Sequence, residues 1–205
     1  MSLADIGFIM VLLFTLPEVW AEWLQGRRIR SMQTGTSVPV STNSIDIATF
    51  FASAIYGLLY PGFSWAYFLN GLLTGLAFFY VGVGLRKYRR ATWRNYVLDL
   101  FLIGNLILMV VVDQGNRELL MTGFLLYTLI GESKLLHELW RDGRGAVEFK
   151  KVMTWLVSNI SFTIYGYAIQ DPVFLYCCGA ISVVQAIQVV VYLRAPPREE
   201  ESSAS

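Results

Sequence analysis

Seven apolar runs, each 17 to 22 residues long, alternate with short polar breaks along this chain. They cover roughly Ile6–Leu24, Ser44–Tyr60, Ser64–Leu85, Tyr96–Val112, Leu119–Leu136, Val152–Ile169 and Val173–Leu193. A helix crossing a bilayer needs about 20 mostly apolar residues. The pattern therefore predicts seven transmembrane helices. The breaks alternate in character. "PGFS", "DQGNRE" and "QDP" are short and nearly neutral, whereas "QGRRIRSMQTGTSVPVST", "RKYRRATWR" and "HELWRDGRGAVEFKK" are longer and basic. All but Arg117 of the 16 lysines and arginines fall on the side of the basic breaks and the C-terminus. The positive-inside rule puts that side in the cytoplasm and the N-terminus outside.

Composition supports lipid as the solvent: 55% of the 205 residues are hydrophobic and only 15% charged, with a mean hydropathy of +0.51. The net charge of +1 gives no reason to expect nucleic acid as a partner. The N-terminus lacks the basic start and small-residue cleavage site of a signal peptide, so the first run is expected to stay in the mature protein. The last residues, 195–205, are rich in Pro, Glu and Ser and are expected to be a disordered cytoplasmic tail. Loops this short leave no extramembrane domain for chemistry, so function is expected within the helices. One histidine (His137) and two adjacent thiols (Cys177, Cys178) offer no metal-ligand spacing. Neither a metal nor a cofactor is expected, and an intramembrane enzyme is the least favoured reading.

The two ends of the chain echo one another. Ile55-Tyr56-Gly57 matches Ile164-Tyr165-Gly166, Gly71 matches Gly179, and Leu85-Arg86 matches Leu193-Arg194. Gly26-Arg27 matches Gly143-Arg144, and Pro17-Glu18 aligns with Gly131-Glu132. Three spans per repeat is an odd number, and a fourth span between them restores the same orientation to both. The expected fold is an all-α multi-pass membrane protein of two parallel three-helix bundles joined by a linker helix. Its parts are residues 1–90, the linker 91–116, and residues 117–194. Substrates of such repeat proteins sit at the repeat interface near the bilayer midplane.

Intramembrane polar residues are the candidates for chemistry. Glu18 lies about 18 Å along a helix begun at Ile6, past the midplane. It suits a proton, a cationic substrate group or an inner gate, and Glu132 repeats the case in the fifth span. Glu22, one turn after Glu18, is expected to reach the inner interface. Pro17 is expected to break the first helix where a bundle hinges. Asn70 can donate and accept hydrogen bonds to a polar solute. Asn159 in the sixth span and Gln185 in the last are further pocket candidates. Thr49, Ser53 and Tyr56 recur at helical spacing and are expected to face one pore. Asp99 is expected to pair with the basic "RRATWR" turn or to face the bundle.

The residues "FTLPEVW", "TSVPVSTNS", "SAIYG" and "AYFLNGLLTGLAFFY" of the first half, with "GESK", "SNISFTIYG" and "CGAISVVQ" of the second, resemble the SWEET and PQ-loop superfamily. That resemblance implies a transporter of a small polar solute such as a sugar, an amino acid or a vitamin-like compound. It would work by alternating access, with or without proton coupling, through one central pocket. The family's substrate-facing Asn falls on Asn70, with Cys178 as its second-half counterpart. The aromatic preceding Tyr-Gly by three residues becomes Ser53 and Phe162, and the family's Pro-Gln becomes Pro17-Glu18. Tyr56 and Tyr165 would close an outer gate, with Asp171 beside them. The alternative reading is a sorting receptor of the same fold that binds without transport. It calls for several cations lining the cavity, and Lys134 is the single candidate.

Overall fold

The computed structural model describes residues 2–33, 35, 38–61, 63–143, 147 and 149–195. Among them the chain forms seven helices and no strand: α1 (Leu3–Met32), α2 (Val40–Leu59), α3 (Trp65–Tyr88), α4 (Trp93–Val111), α5 (Gln114–Asp142), α6 (Phe149–Ile169) and α7 (Pro172–Arg194). All except α2 are long and apolar enough to cross a membrane. The chain is an integral, multi-pass membrane protein. α2 has 20 residues, about 30 Å of helix, but Thr42, Asn43, Ser44, Asp46, Thr49 and Ser53 lower its hydropathy, and all six are buried. Its polar face points inward, away from lipid. The tail expected to be disordered lies almost wholly outside the described residues.

The helix starts are written locally. Ser2 and Asp5 form a reciprocal capping box on α1. Asp113 caps α5, accepting the Asn116 N–H at 3.0 Å, and backbone and side-chain N–H groups of Asn116 hold its carboxyl below the usual range. Arg117, in the first turn of α5, donates to the carbonyls of Met109 (3.1 Å) and Val112 (2.7 Å). It satisfies acceptors that the end of α4 leaves open. Pro17 does not break α1, which runs unbroken for 30 residues. The helix tolerates the missing donor, since a single absent N–H leaves the flanking turns paired.

α3 packs between α1 and α2, and α7 between α5 and α6; α1 also meets α6, and α2 meets α5. α4 leans on α2 and, more lightly, on α5. It buries only Leu102 and Met109. Gly71 sets the closest approach: a Cβ there would lie 2.5 Å from both the Ala54 nitrogen and the Phe50 oxygen of α2. The two Tyr-Gly helix ends are built alike. Gly57 accepts the Ser64 N–H at 2.9 Å and Gly166 accepts the Asp171 N–H at 2.8 Å. Ser64 and Asp171 then cap α3 and α7, each preceded by a left-handed residue, Phe63 or Gln170.

Two apolar clusters hold the interior. One gathers Tyr56, Tyr67, Phe162, Phe174 and Ile181; the other gathers Ile29, Val81, Leu85, Leu135, Leu139 and Tyr192. Along α1, α3, α5 and α7 the buried residues between these clusters include seven polar ones: Glu18 and Glu22, Asn70 and Thr74, Glu132, Gln185 and Gln188. All seven are buried.

Candidate functional site

A small cavity lies within this polar zone, lined by Glu18 of α1, Thr49 and Ser53 of α2, Asn70 of α3, Thr128 of α5, Ser158 and Asn159 of α6, and Cys178 of α7. Phe50, Trp155, Phe162 and Phe174 supply aromatic walls, and no basic side chain lines it. Its volume of about 30 Å³ has room for one or two water-sized groups. Glu18, 1% exposed, is held from one side. Its Oε2 accepts from the Asn70 amide and from the Thr74 hydroxyl. The same amide nitrogen of Asn70 donates to Thr15 Oγ1 at 3.1 Å. The Asn70 Oδ1 is fully buried and has no hydrogen-bond partner, and the Ser158 hydroxyl, also fully buried, faces the Glu18 carboxyl as a further donor. Thr49 and Thr128 share a hydroxyl contact of 2.8 Å between α2 and α5.

One turn further along α1 comes a layer of charge. Glu22 is fully buried and pairs with Lys151 Nζ of α6 at 3.1 Å. The Trp155 indole N–H donates to the same carboxylate, also at 3.1 Å. Lys151 Nζ lies 4.9 Å from the centre of the Phe78 ring, a cation–π distance. Asp46 of α2 and Glu132 of α5 both feel the charges of Lys151 and Glu22. Asp46 leaves its Oδ1 without a partner, whereas Gln188 of α7 donates to the Glu132 carboxylate at 2.6 Å. The layer thus gathers side chains of α1, α2, α5, α6 and α7: three acids, the Lys151 ammonium and Gln188.

Beyond the cavity in the other direction, aromatic rings close ranks around Asp171. Its Oδ2 accepts from the hydroxyls of Tyr56 (3.3 Å) and Tyr67 (3.2 Å). Its Oδ1 accepts the N–H groups of Val173 and Phe174. Burial pushes the Asp171 carboxyl up, and those four donors oppose the push. Tyr67 stacks on Phe174 with ring centres 4.0 Å apart, and Tyr165 meets Tyr67 edge-on at 5.5 Å.

The structure therefore brings together Glu18, Ser53, Asn70, Asn159, Phe162 and Cys178 of the residues singled out in the sequence. Gln185 stands just behind them, its Oε1 accepting from Asn159 at 3.1 Å. Tyr56 and Tyr165 sit at the aromatic end. Glu132 does not share the surroundings of Glu18: it belongs to the charged layer, not to the cavity. Glu22 is not at an interface, because Lys151 draws it inward. Lys134 is exposed, and the buried cation is Lys151. Asp99 pairs with Arg86 at 2.7 Å, and the "RRATWR" turn does not supply that partner. These two line a separate groove of about 360 Å³ beside α4.

Sequence reasoning missed Asp46, Tyr67, Lys151, Trp155 and Ser158. Asp46 had a visible signal, since Thr42, Asp46, Thr49 and Ser53 continue one helical stripe. Lys151 had none, because it reads as the last of a run of loop charges.

No family model matches this sequence, and no curated protein does. Among solved structures, the fold matches one titled as the 3.7 Å resolution structure of a eukaryotic SWEET transporter, with a TM-score of 0.66 and 13% sequence identity. The match covers 92% of this chain and 98% of that one. At that identity the likeness concerns the fold, and this chain has the SWEET fold.

Proposed function

We propose that the protein is a membrane transporter that moves a small polar solute by alternating access. The carrying observation is the cavity itself: a buried space in the middle of a membrane protein, walled by aromatic rings and edged by Glu18, Asn70, Ser158 and Asn159, with a Tyr–Asp contact toward one end and an ion-paired layer toward the other. In this reading residues 1–90 and 117–194 are two three-helix units, and residues 91–116 link them. The N-terminus lies outside and the C-terminus in the cytoplasm, as the basic breaks require. Rocking one unit against the other separates Tyr56 and Tyr67 from Asp171 in one state, and Glu22 from Lys151 in the other. Glu18, Asn70, Asn159 and Ser53 contact the solute, with Phe162 and Cys178 beside them and Gln185 orienting Asn159. Glu132 and Glu18 are the acids through which a proton would be linked. The receptor reading draws no support from the cavity, whose lining holds no cation.

The test is uptake into liposomes carrying the purified full-length protein, across a panel of sugars, amino acids and vitamin-like solutes, with and without a pH gradient. Saturable uptake of at least one solute is expected. Uptake indistinguishable from empty liposomes across the whole panel would overturn the proposal.

A further inference from the structure

The cavity's donors and acceptors are unbalanced, and the imbalance names a ligand class. Glu18 presents a carboxyl group to which the Ser158 hydroxyl can donate while its oxygen still accepts, and Asn70 Oδ1 is fully buried with no hydrogen-bond partner. Buried polar atoms of this kind are rare and call for a water, an ion or a ligand. All three groups accept hydrogen bonds and all three line the same space. Lys151, the one buried cation among the described residues, does not answer them, since it is committed to Glu22.

Four aromatic rings complete the site. Phe50, Trp155, Phe162 and Phe174 line the cavity, and Phe50 and Trp155 meet edge-on with centres 5.4 Å apart. The Trp155 ring is fixed by its bond to Glu22. Aromatic faces around a carboxylate attract an organic cation through both charge and ring quadrupole. An ammonium carries three donors and no acceptor, matching the three acceptors in number. The ammonium head group is water-sized, so a space of about 30 Å³ holds it, while the rest of an amine, like a whole hexose ring, enters only when the walls separate.

We infer that the solute is a small organic cation bearing a primary ammonium group, seated with its nitrogen between Glu18, Asn70 Oδ1 and Ser158 Oγ. This rests on the transport reading above for its passage, but not for its binding. The experiment separates the two. Ethanolamine, putrescine and lysine are compared with neutral glucose and anionic glutamate, first by binding to the purified full-length protein and then by liposome uptake. The expected result is binding and uptake of at least one amine, with glutamate excluded. Glu18→Gln keeps the side-chain volume and the contact to Thr74 but removes the charge, and should weaken amine binding at least tenfold. Ser158→Ala should weaken it severalfold. A monodisperse profile and a melting temperature close to the parent's show that both variants fold. Amine binding unchanged in Glu18→Gln would overturn the assignment, and so would binding of glucose or glutamate with no amine bound. Glucose uptake without amine uptake would overturn the ligand class and leave transport standing. Amine binding without uptake of any solute would overturn transport and leave the ligand class standing.

Discussion

Replacing Lys151 with methionine is the sharpest perturbation of the buried charge. Its ammonium lies 3.1 Å from a carboxylate, Glu22, that is 0% exposed, and within electrostatic reach of Asp46 and Glu132. Lys151→Met leaves three acids with no buried counter-cation. Removing one partner of a buried pair typically costs about 3–5 kcal/mol, because the survivor keeps its desolvation penalty. For a chain of this size each kcal/mol moves the melting temperature by about 2–4 °C, so a fall of about 6–20 °C is expected. The double variant Lys151→Met with Glu22→Met removes both charges, and replacing such a pair by apolar residues is often near neutral. At least half of the loss should return. Asp46 and Glu132 keep the recovery from being complete. The assay is the apparent melting temperature of the purified protein, followed by tryptophan fluorescence in one detergent. A single variant within about 2 °C of the parent, or a double variant no better than the single, would refute the argument that the pair and not the packing of Lys151 is what matters.

Asp171 has two tasks that substitution can separate. Asp171→Asn keeps the N-cap oxygen but puts an amide donor where Oδ2 accepted from Tyr56 and Tyr67, and should cost about 1–2 kcal/mol, whereas Asp171→Ala loses the cap as well, about 2–4 kcal/mol together. In a Cys177→Ser background, Cys178, which is 2% exposed, should react faster with a water-soluble thiol reagent in Asp171→Ala than in the parent; equal rates would show that the tyrosine contact guards nothing. Gly71→Ala must push α3 off α2 and should lower the melting temperature sharply, while Gly104→Ala and Gly123→Ala, with open space around them, should be neutral or slightly stabilising. Thr128→Val removes the hydroxyl contact to Thr49 and should cost about 1 kcal/mol in the same melting assay.

The helices were legible in the sequence because each apolar run is long enough to cross lipid, and the bounds moved by a few residues at most ends. α5, longer at both ends, and α1 are the exceptions. α1 extends to Met32 because Gln25 and Ile29 find buried places along it, which no hydropathy window registers. Asn70 and Glu18 were readable as polar residues that lipid would not tolerate bare. The partner of each was not: that Asn70 clamps Glu18, and that Lys151 enters the bundle, depends on how α3 and α6 pack against α1. The echo between Pro17-Glu18 and Gly131-Glu132 does not extend to what surrounds the two acids, for the same reason. Similar neighbours in sequence placed the two acids in different surroundings, one beside a cavity and one beside Lys151.

α4 shows two buried side chains and a large exposed apolar surface. Its sequence is therefore constrained more by the thickness and chemistry of the surrounding lipid than by fit to the rest of the protein. Expressed as two polypeptides severed between α4 and α5, the halves would recognise each other through the α1–α6 and α2–α5 faces. α4 could then be exchanged for an unrelated spanning segment with little loss of assembly. Genetic complementation between separated halves is the behaviour such a loosely held helix allows.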